Sequence, residues 1–325
     1  GMEPGSEFDR DVEMAKEAMI VTSAGPKLVY VAIDADEEFV YMLGNTIAAA
    51  DYIVQLMGAI SAIYVRDLDL RLFLRFARLW PAGGEPFDPS NLSGFADYWN
   101  TNEDPSLYNI IHMFSGRRDT PYGGVAYISN ACGGAYGIDA LLNGSFVAPV
   151  TSPDNGNWDV NVVAHEMGHN CGTYHTHDGN QYSPLIDNCG GGTPAQGTIM
   201  SYCHTFQGYQ RNITLHMHRR IAGTIRSITY SSGCHPFDCN GNGVDDAVDI
   251  AGAVSADING NGIPDECEDR NNNGILDPAD IAGGMPDVDG NGIPDNAELD
   301  CNENSYPDRA ETWNLLAADV DGDYV

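Results

Sequence analysis

The sequence predicts a mixed α/β domain followed by a separate module of repeated loops. Three observations carry this. Strand-like and helix-like apolar patterns alternate up to Cys234; a histidine-rich segment, HEMGHNCGTYH, sits among them at 165–175; and beyond Cys234 the apolar periodicity gives way to a regular spacing of Asp, Asn and Gly. These shifts put a first domain at 9–234 and the module at 235–325, with the opening GMEPGSEF (1–8) read as vector-derived residues.

The elements follow in order. KLVYVAIDA (27–35) is rich in β-branched residues and alternates, so it reads as a strand. TIAAADYIVQLMGAISAI (46–63) is apolar all round, as a buried helix is. LDLRLFLRFARLW (68–80) sets Leu70, Leu72 and Leu74 against Arg71, Phe73 and Arg75 and reads as a second strand. NLSGFADYWNTN marks a short helix, and GGVAYIS (123–129) a strand bounded by glycines. Val160, Val163 and Ala164 lie at helical spacing and lead a buried helix over about 158–170. A Gly/Pro/Asn-rich stretch runs on to GTIMSYC (197–203), and ITLHMHRRIAGTIRSI (213–228) reads as a closing helix.

Charge and cysteines narrow the function classes. The formal net charge is −32, and 22 of the 47 acidic residues lie from His235 onward with only Arg270 and Arg309 to offset them. That balance excludes nucleic acid and anionic membranes as partners and points to cations. No unbroken run of 18 apolar residues occurs, so no membrane insertion is expected. Eight cysteines without a C-x-x-C pair read as disulfide partners, which implies an oxidising, extracellular setting and secretion by a signal peptide outside this sequence.

The histidine segment has a specific geometry. His165 and His169 are four residues apart and share one helix face, with Glu166 beside them. His175 is six residues further, about 600° on a continued helix, and would point away. The helix must therefore end before it, and Gly172 supplies a residue that enters the left-handed region without steric cost. Three neutral imidazoles with an open fourth position are the ligand set of a catalytic zinc.

The string H-E-x-x-H-x-x-G-x-x-H resembles the motif of metzincin metallopeptidases, and Met200 in GTIMSYC resembles their methionine turn. VAIDADEEF, RLFLRFARLW, GGVAYIS followed by Cys132, AHEMGHNCG and GTIMSYCH together resemble the reprolysin or adamalysin-like branch over roughly 9–234. TYHTH and Met200-Ser201-Tyr202 are also similar to pappalysins, the second choice. One departure stands out: the family often has Asp directly after the third histidine, whereas Thr176 follows here and Asp178 comes two later.

The resemblance implies a twisted sheet and helices above a cleft, with a small, irregular lower subdomain. It implies zinc on His165, His169 and His175, Glu166 as general base, and Met200 as an apolar floor under the imidazoles. Tyr202 would be a fifth ligand, an oxyanion-stabilising hydroxyl or a packed wall residue. The strand bearing Gly124, Val125, Ala126 and Tyr127 would seat an extended polypeptide substrate by strand addition. A Cys132–Cys234 disulfide is implied too, and one pair among Cys171, Cys189 and Cys203 that includes Cys189.

Beyond Cys234 the pattern D-x-[DN]-x-[DN]-G recurs with the spacing of an EF-type calcium loop, whose ligands sit at positions 1, 3, 5, 7, 9 and 12. The five loops use Asp238, Asn240, Asn242, Val244, Asp246 and Asp249; Asp257, Asn259, Asn261, Ile263, Asp265 and Glu268; Asp269, Asn271, Asn273, Ile275, Asp277 and Asp280; Asp287, Asp289, Asn291, Ile293, Asp295 and Glu298; and Asp300, Asn302, Asn304, Tyr306, Asp308 and Glu311. The position-7 residue contributes its carbonyl, and Ile263, Ile275 and Ile293 are expected to form a thin apolar spine. The array resembles thrombospondin type 3 repeats and, less closely, dockerins. That implies several structural calcium ions beside the single zinc, with possible cell-surface or matrix contact through the module.

The whole predicts a secreted zinc endopeptidase with a calcium-stabilised tail. The alternatives are an adhesion or scaffold protein with an inert peptidase domain, which the intact Glu166 argues against, and an enzyme docked to a scaffold by a dockerin-like tail.

Overall fold

The computed structural model describes residues 25–81, 84–148, 150, 153–189, 196–288, 292–298 and 307. Contacts divide the chain into two units. One comprises residues 29–68 and 72–234; the other runs from His235 onward and takes in 69–71 and the residues before Val29.

The first unit is built on a five-stranded sheet. Its strands are β1 (Lys27–Ala35), β2 (Leu70–Leu79), β3 (Ile110–Phe114), β4 (Gly124–Ala126) and β5 (Ala135–Asp139), in the order β2-β1-β3-β5-β4. β1, β3 and β5 run parallel, with Val31 opposite Ile110 and Ile110 opposite Ala135, and they are almost wholly buried, as strands covered on both faces must be. β4 is antiparallel to β5 and forms the edge, Val125 facing Ile138.

Helix α1 (Glu37–Leu43) starts where Asp36 accepts the Phe39 N–H, and stops at Gly44 in the left-handed region. Helix α2 (Thr46–Leu68) is long and apolar enough to cross a membrane by length and composition. Here it is a core helix: Ile53, Leu56 and Ile60 are fully buried, the Tyr52 hydroxyl donates to Asp159, and the Tyr64 hydroxyl donates to the Ala164 carbonyl. Helix α3 (Leu92–Asn102) packs Phe95, Ala96 and Trp99 onto Ala32, Ile111, Met113 and Ile138 of the sheet. Asp34 of β1 fixes that layer by accepting from the Trp80 and Trp99 indoles and from Arg78.

Helix α4 (Trp158–Asn170) is buried along almost its whole length. The last helix, α5, spans Arg219–Ser231 and begins at His218, whose side chain accepts the Arg220 N–H. The helix expected from 213 therefore starts six residues late. Ile213, Leu215 and Met217 are each buried at every second position, which is an extended period, and the segment pairs with the chain around Gly197–Ile199 instead. The strand expected over 123–129 is likewise shorter, ending at Ala126. Disulfides join Cys132 to Cys234 and Cys189 to Cys203, while Cys171 is a buried free thiol.

In the second unit the loops alternate in how they end. Those starting at Asp238 and Asp269 run into short helices α6 (Asp246–Ala251) and α7 (Asp277–Ala282); those starting at Asp257 and Asp287 end in single 3-10 turns at Asp265–Cys267 and Asp295–Ala297. A Cys239–Cys267 disulfide links the first two loops. The expected isoleucine spine does not form. Ile293 is buried, but Ile275 is 50% exposed, so the position-7 side chains share no continuous buried face.

Candidate metal centre and its surroundings

Helix α4 presents His165 and His169 one turn apart and then stops. The Gly172 N–H bonds the His169 carbonyl, and Gly172 has φ +96. A Cβ there would also press on Ile228 and on the Ser129 carbonyl oxygen, so glycine is needed for conformation and for space. The reversal returns the chain so that His175 faces the helix. The donor atoms of His165, His169 and His175 lie within 4.8 Å of one another.

Each helical imidazole is oriented from behind. His165 Nδ1 lies 2.7 Å from the Ile199 carbonyl oxygen and His169 Nδ1 lies 2.7 Å from that of Thr173. Carbonyls accept, so both Nδ1 atoms carry the proton and both Nε2 atoms are bare lone pairs. His169 Nε2 and His175 Nε2 are 3.1 Å apart. Two nitrogens on a tetrahedral zinc at about 2.0–2.1 Å would be separated by about 3.3–3.4 Å. Burial pushes all three imidazoles below their ordinary range, His175 to about 3, and keeps them neutral. The donor set therefore fits a zinc ion.

Met200 is fully buried beneath the helix, close enough that a Cβ on Gly168 would lie 2.6 Å from its sulfur. Its carbonyl accepts from the Thr176 N–H, tying this turn to the chain just past His175. Tyr202 is 36% exposed, its ring 4.4 Å from that of His175; burial raises its hydroxyl pKa, with the Glu166 charge adding to the shift. His177 stacks on His175 at 5.2 Å with an 8° interplanar angle. Glu166 is buried, and burial together with the nearby Asp139 charge pushes its carboxyl well up. Its carboxylate rests against β4, where a Cβ on Gly124 would collide with it. The histidines, Glu166 and Gly124 thus come together at one site; Val125 and Ala126 continue that edge, and Tyr127 lies just past it, 42% exposed.

A family model described as metallo-peptidase family M12 matches residues 25–215. The chain belongs to the M12 metallopeptidases. Membership implies a catalytic zinc, and in this M12 peptidase His165, His169 and His175 form a group that could hold a metal ion. A solved structure titled "Structure of a chaperone-substrate complex" is 16% identical over 48% of the chain, with a TM-score of 0.34. The chain spans 25% of that structure's length.

Sequence reasoning passed over a group behind the M12 peptidase's histidines. His112, Asp139 and Asn170 are joined by hydrogen bonds and fully buried. They come from β3, β5 and the end of α4, and no local pattern relates them.

The second unit has its own regular geometry. In the first loop Asp238 accepts from the amides of Gly241, Asn242 and Gly243, and in the second Asp257 accepts from those of Gly260, Asn261 and Gly262. The side chains at positions 3 and 5 converge on the carboxylate at position 12: Asn240 and Asn242 on Asp249, Asn259 and Asn261 on Glu268, Asn271 and Asn273 on Asp280. The position-9 carboxylates of Asp246, Asp265, Asp277 and Asp295 instead accept the N–H of position 2. Asp289, Asn291, Asp300, Asn302, Asn304, Tyr306, Asp308 and Glu311 lie outside the described residues.

Proposed function

We propose that the chain is a secreted zinc endopeptidase of the metzincin kind, in its reprolysin or adamalysin-like branch, carrying a calcium-binding repeat module. The observation that supports this most is the convergence of three neutral imidazoles, two with Nε2 freed by backbone carbonyls, beside a buried glutamate at a sheet edge.

A zinc held by His165, His169 and His175 would acidify a water and polarise the scissile carbonyl. Glu166 accepts the proton of the attacking water and passes it to the leaving amine. Its burial against Gly124 keeps bulk water from competing for that proton. The peptide lies along β4, its backbone bonding the edge of Gly124, Val125 and Ala126, and Tyr127 flanks it. Tyr202, beside His175, offers a hydroxyl to the developing oxyanion. Met200 gives the imidazoles an apolar floor, and Gly172 makes the reversal that delivers His175. Three disulfides accord with an extracellular protein.

For the module, support comes from an excess of buried carboxylates: Asp238, Asp249, Glu268 and Asp280 are all nearly inaccessible, and Asp238 has Arg71 3.9 Å away. Calcium takes such oxygen sets. The asparagines at positions 3 and 5 now turn NH2 toward the position-12 carboxylate, so ion binding requires those carboxamides to rotate and present oxygen.

The test is cleavage of a peptide library with zinc, with a chelator, and after zinc is restored. Metal-dependent internal cleavage is expected. Cleavage that survives zinc removal, or none in the loaded protein, overturns the reading.

A further inference from the structure

The carboxamide of Asn170, the last residue of α4, has its oxygen and both N–H groups engaged. Oδ1 lies 2.8 Å from His112 Nε2, and Nδ2 donates to the carbonyls of Tyr127 at 2.8 Å and Tyr136 at 3.1 Å. Two carbonyls on one side identify that end as the NH2 group. His112 therefore carries a proton on Nε2. Its Nδ1 lies 2.7 Å from Asp139 Oδ2, and this contact must hold a second proton, on nitrogen or on oxygen. The His112–Asp139 pair is neutral overall.

Such a pair is a poor way to stabilise a core. Both residues are wholly buried, and Asp139 Oδ1 has no hydrogen-bond partner among the described residues. Apolar residues of similar volume usually serve stability as well or better. Space has also been cleared for it: Gly137 of β5 sits opposite His112, where a Cβ would overlap the imidazole. What the group does is orient one amide, and that amide sits at a junction. The segment that continues β4 is fastened to the last turn of α4 by three bonds: Asn170 Nδ2 to the Tyr127 carbonyl, the Ser129 N–H to the His169 carbonyl at 3.3 Å, and the Ala131 N–H to the Asn170 carbonyl at 2.9 Å. The same turn carries His169.

We propose that His112, Asp139 and Asn170 are positioning residues that hold the β4 edge in register with the metal-binding helix, and so set where an extended peptide lies relative to the reacting centre. This rests on the reading of β4 as the substrate strand. Locked by His112, the Asn170 amide cannot flip. Without that lock its NH2 group is free to leave the Tyr127 carbonyl, and the edge strand shifts against His169. The consequence is for binding of long substrates more than for the chemical step.

The experiment compares His112→Leu with His112→Gln, whose side-chain NH2 can still donate to Asn170 Oδ1, in the full chain loaded with zinc. A peptide of about ten residues around a cleavage site found for the wild type is set against a version trimmed to the residues flanking the scissile bond. His112→Leu is expected to raise KM for the long peptide about tenfold, with a much smaller change for the trimmed one and bound zinc unchanged. His112→Gln should restore most of the loss. Equal KM changes for both lengths, or the same behaviour from Gln and Leu, overturn the proposal. Should His112→Leu fail to fold, Asn170→Ser takes its place, and an unchanged long-peptide KM overturns it. Amide exchange is read in parallel and needs no activity: protection of the Ser129 and Ala131 N–H groups should fall while that of β1 stays. Unaltered protection there refutes the coupling even if the wild type proves not to be a peptidase, an outcome that would sink only the functional reading.

Discussion

His169 Nε2 and His175 Nε2 face each other at 3.1 Å, although a continued helix would set the two side chains on different faces. The backbone reversal at Gly172 accounts for the meeting, and the carbonyl of Thr173, inside that reversal, orients His169 by bonding its Nδ1. One turn thus ends the helix, orients one imidazole and delivers another. Removing a ligand and removing the glutamate should consequently have different outcomes. His169→Ala should lose the metal. Glu166→Ala should keep stoichiometric zinc while turnover falls by a factor of roughly 100 or more, since only the proton acceptor is gone. Metal analysis beside peptide cleavage checks both, and a zinc-loaded Glu166→Ala variant with full activity would remove Glu166 from the mechanism.

The same turn makes Gly172→Ala a sensitive substitution. Alanine must adopt φ +96, and its methyl would come within 3.0 Å of the Ser129 carbonyl oxygen. Strain and overlap together should cost about 2–3 kcal/mol. Because the displaced segment leads to His175, zinc affinity should fall along with thermal stability. A variant that melts like the wild type and binds zinc equally well would show that the turn has slack the geometry denies.

These two predictions rest on residues visible from spacing alone, and much of the fold was visible in the same way. β1, α2, β2, α3 and α4 announced themselves through length and a consistent period. β3 and β5 did not. IIHMF and AYGID are five-residue strands buried on both faces, so they lack alternation, and each carries polar residues whose partners lie on other elements. The segment 213–218 misled because it adjoins a true helix, yet Ile213, Leu215 and Met217 keep a period of two. Of the site, the histidines and Glu166 were local in sequence and legible. The His112–Asp139–Asn170 group joins positions 27 and 58 residues apart, and only tertiary structure brings it together.

Asp36 offers a pH test away from the metal centre. It caps α1 and also accepts the Gly116 N–H, yet burial pushes its carboxyl up to about 6. A raised folded-state value means that the fold favours the protonated form. The cost of ionisation is absent below the unfolded value near 4 and complete above about 6, so this group lowers stability as pH rises through that window. Asp36→Asn keeps an acceptor for the cap and cannot ionise. Relative to the wild type it should gain stability between pH 4 and 6, by up to about 3 kcal/mol at neutral pH. Parallel denaturant curves for the two proteins at pH 4 and pH 7 measure this; a constant difference between them would mean that Asp36 does not titrate there.

The last prediction concerns the module, whose folding should depend on calcium more than on apolar burial. Its apolar residues are few and often exposed, Ile258, Ile275, Val248 and Val254 among them, so burial offsets little chain entropy. Its carboxylates are packed close enough that burial and the neighbouring Asp238, Asp245 and Asp249 charges push Asp246 up to about 6. A divalent cation in each loop would reverse that repulsion, and its binding free energy would become folding free energy. Excess chelator selective for calcium should therefore expose residues 238–298 to proteolysis and enlarge the scattering radius, while the Cys239–Cys267 disulfide limits expansion of the first two loops. Restoring calcium should reverse both changes, and Asp249→Ala or Glu268→Ala should each raise the calcium concentration required, because each removes the carboxylate on which positions 3 and 5 converge. If protease resistance and scattering radius are the same with and without chelator, the loops hold themselves through the amide–carboxylate bonds alone, and the ions play no structural part.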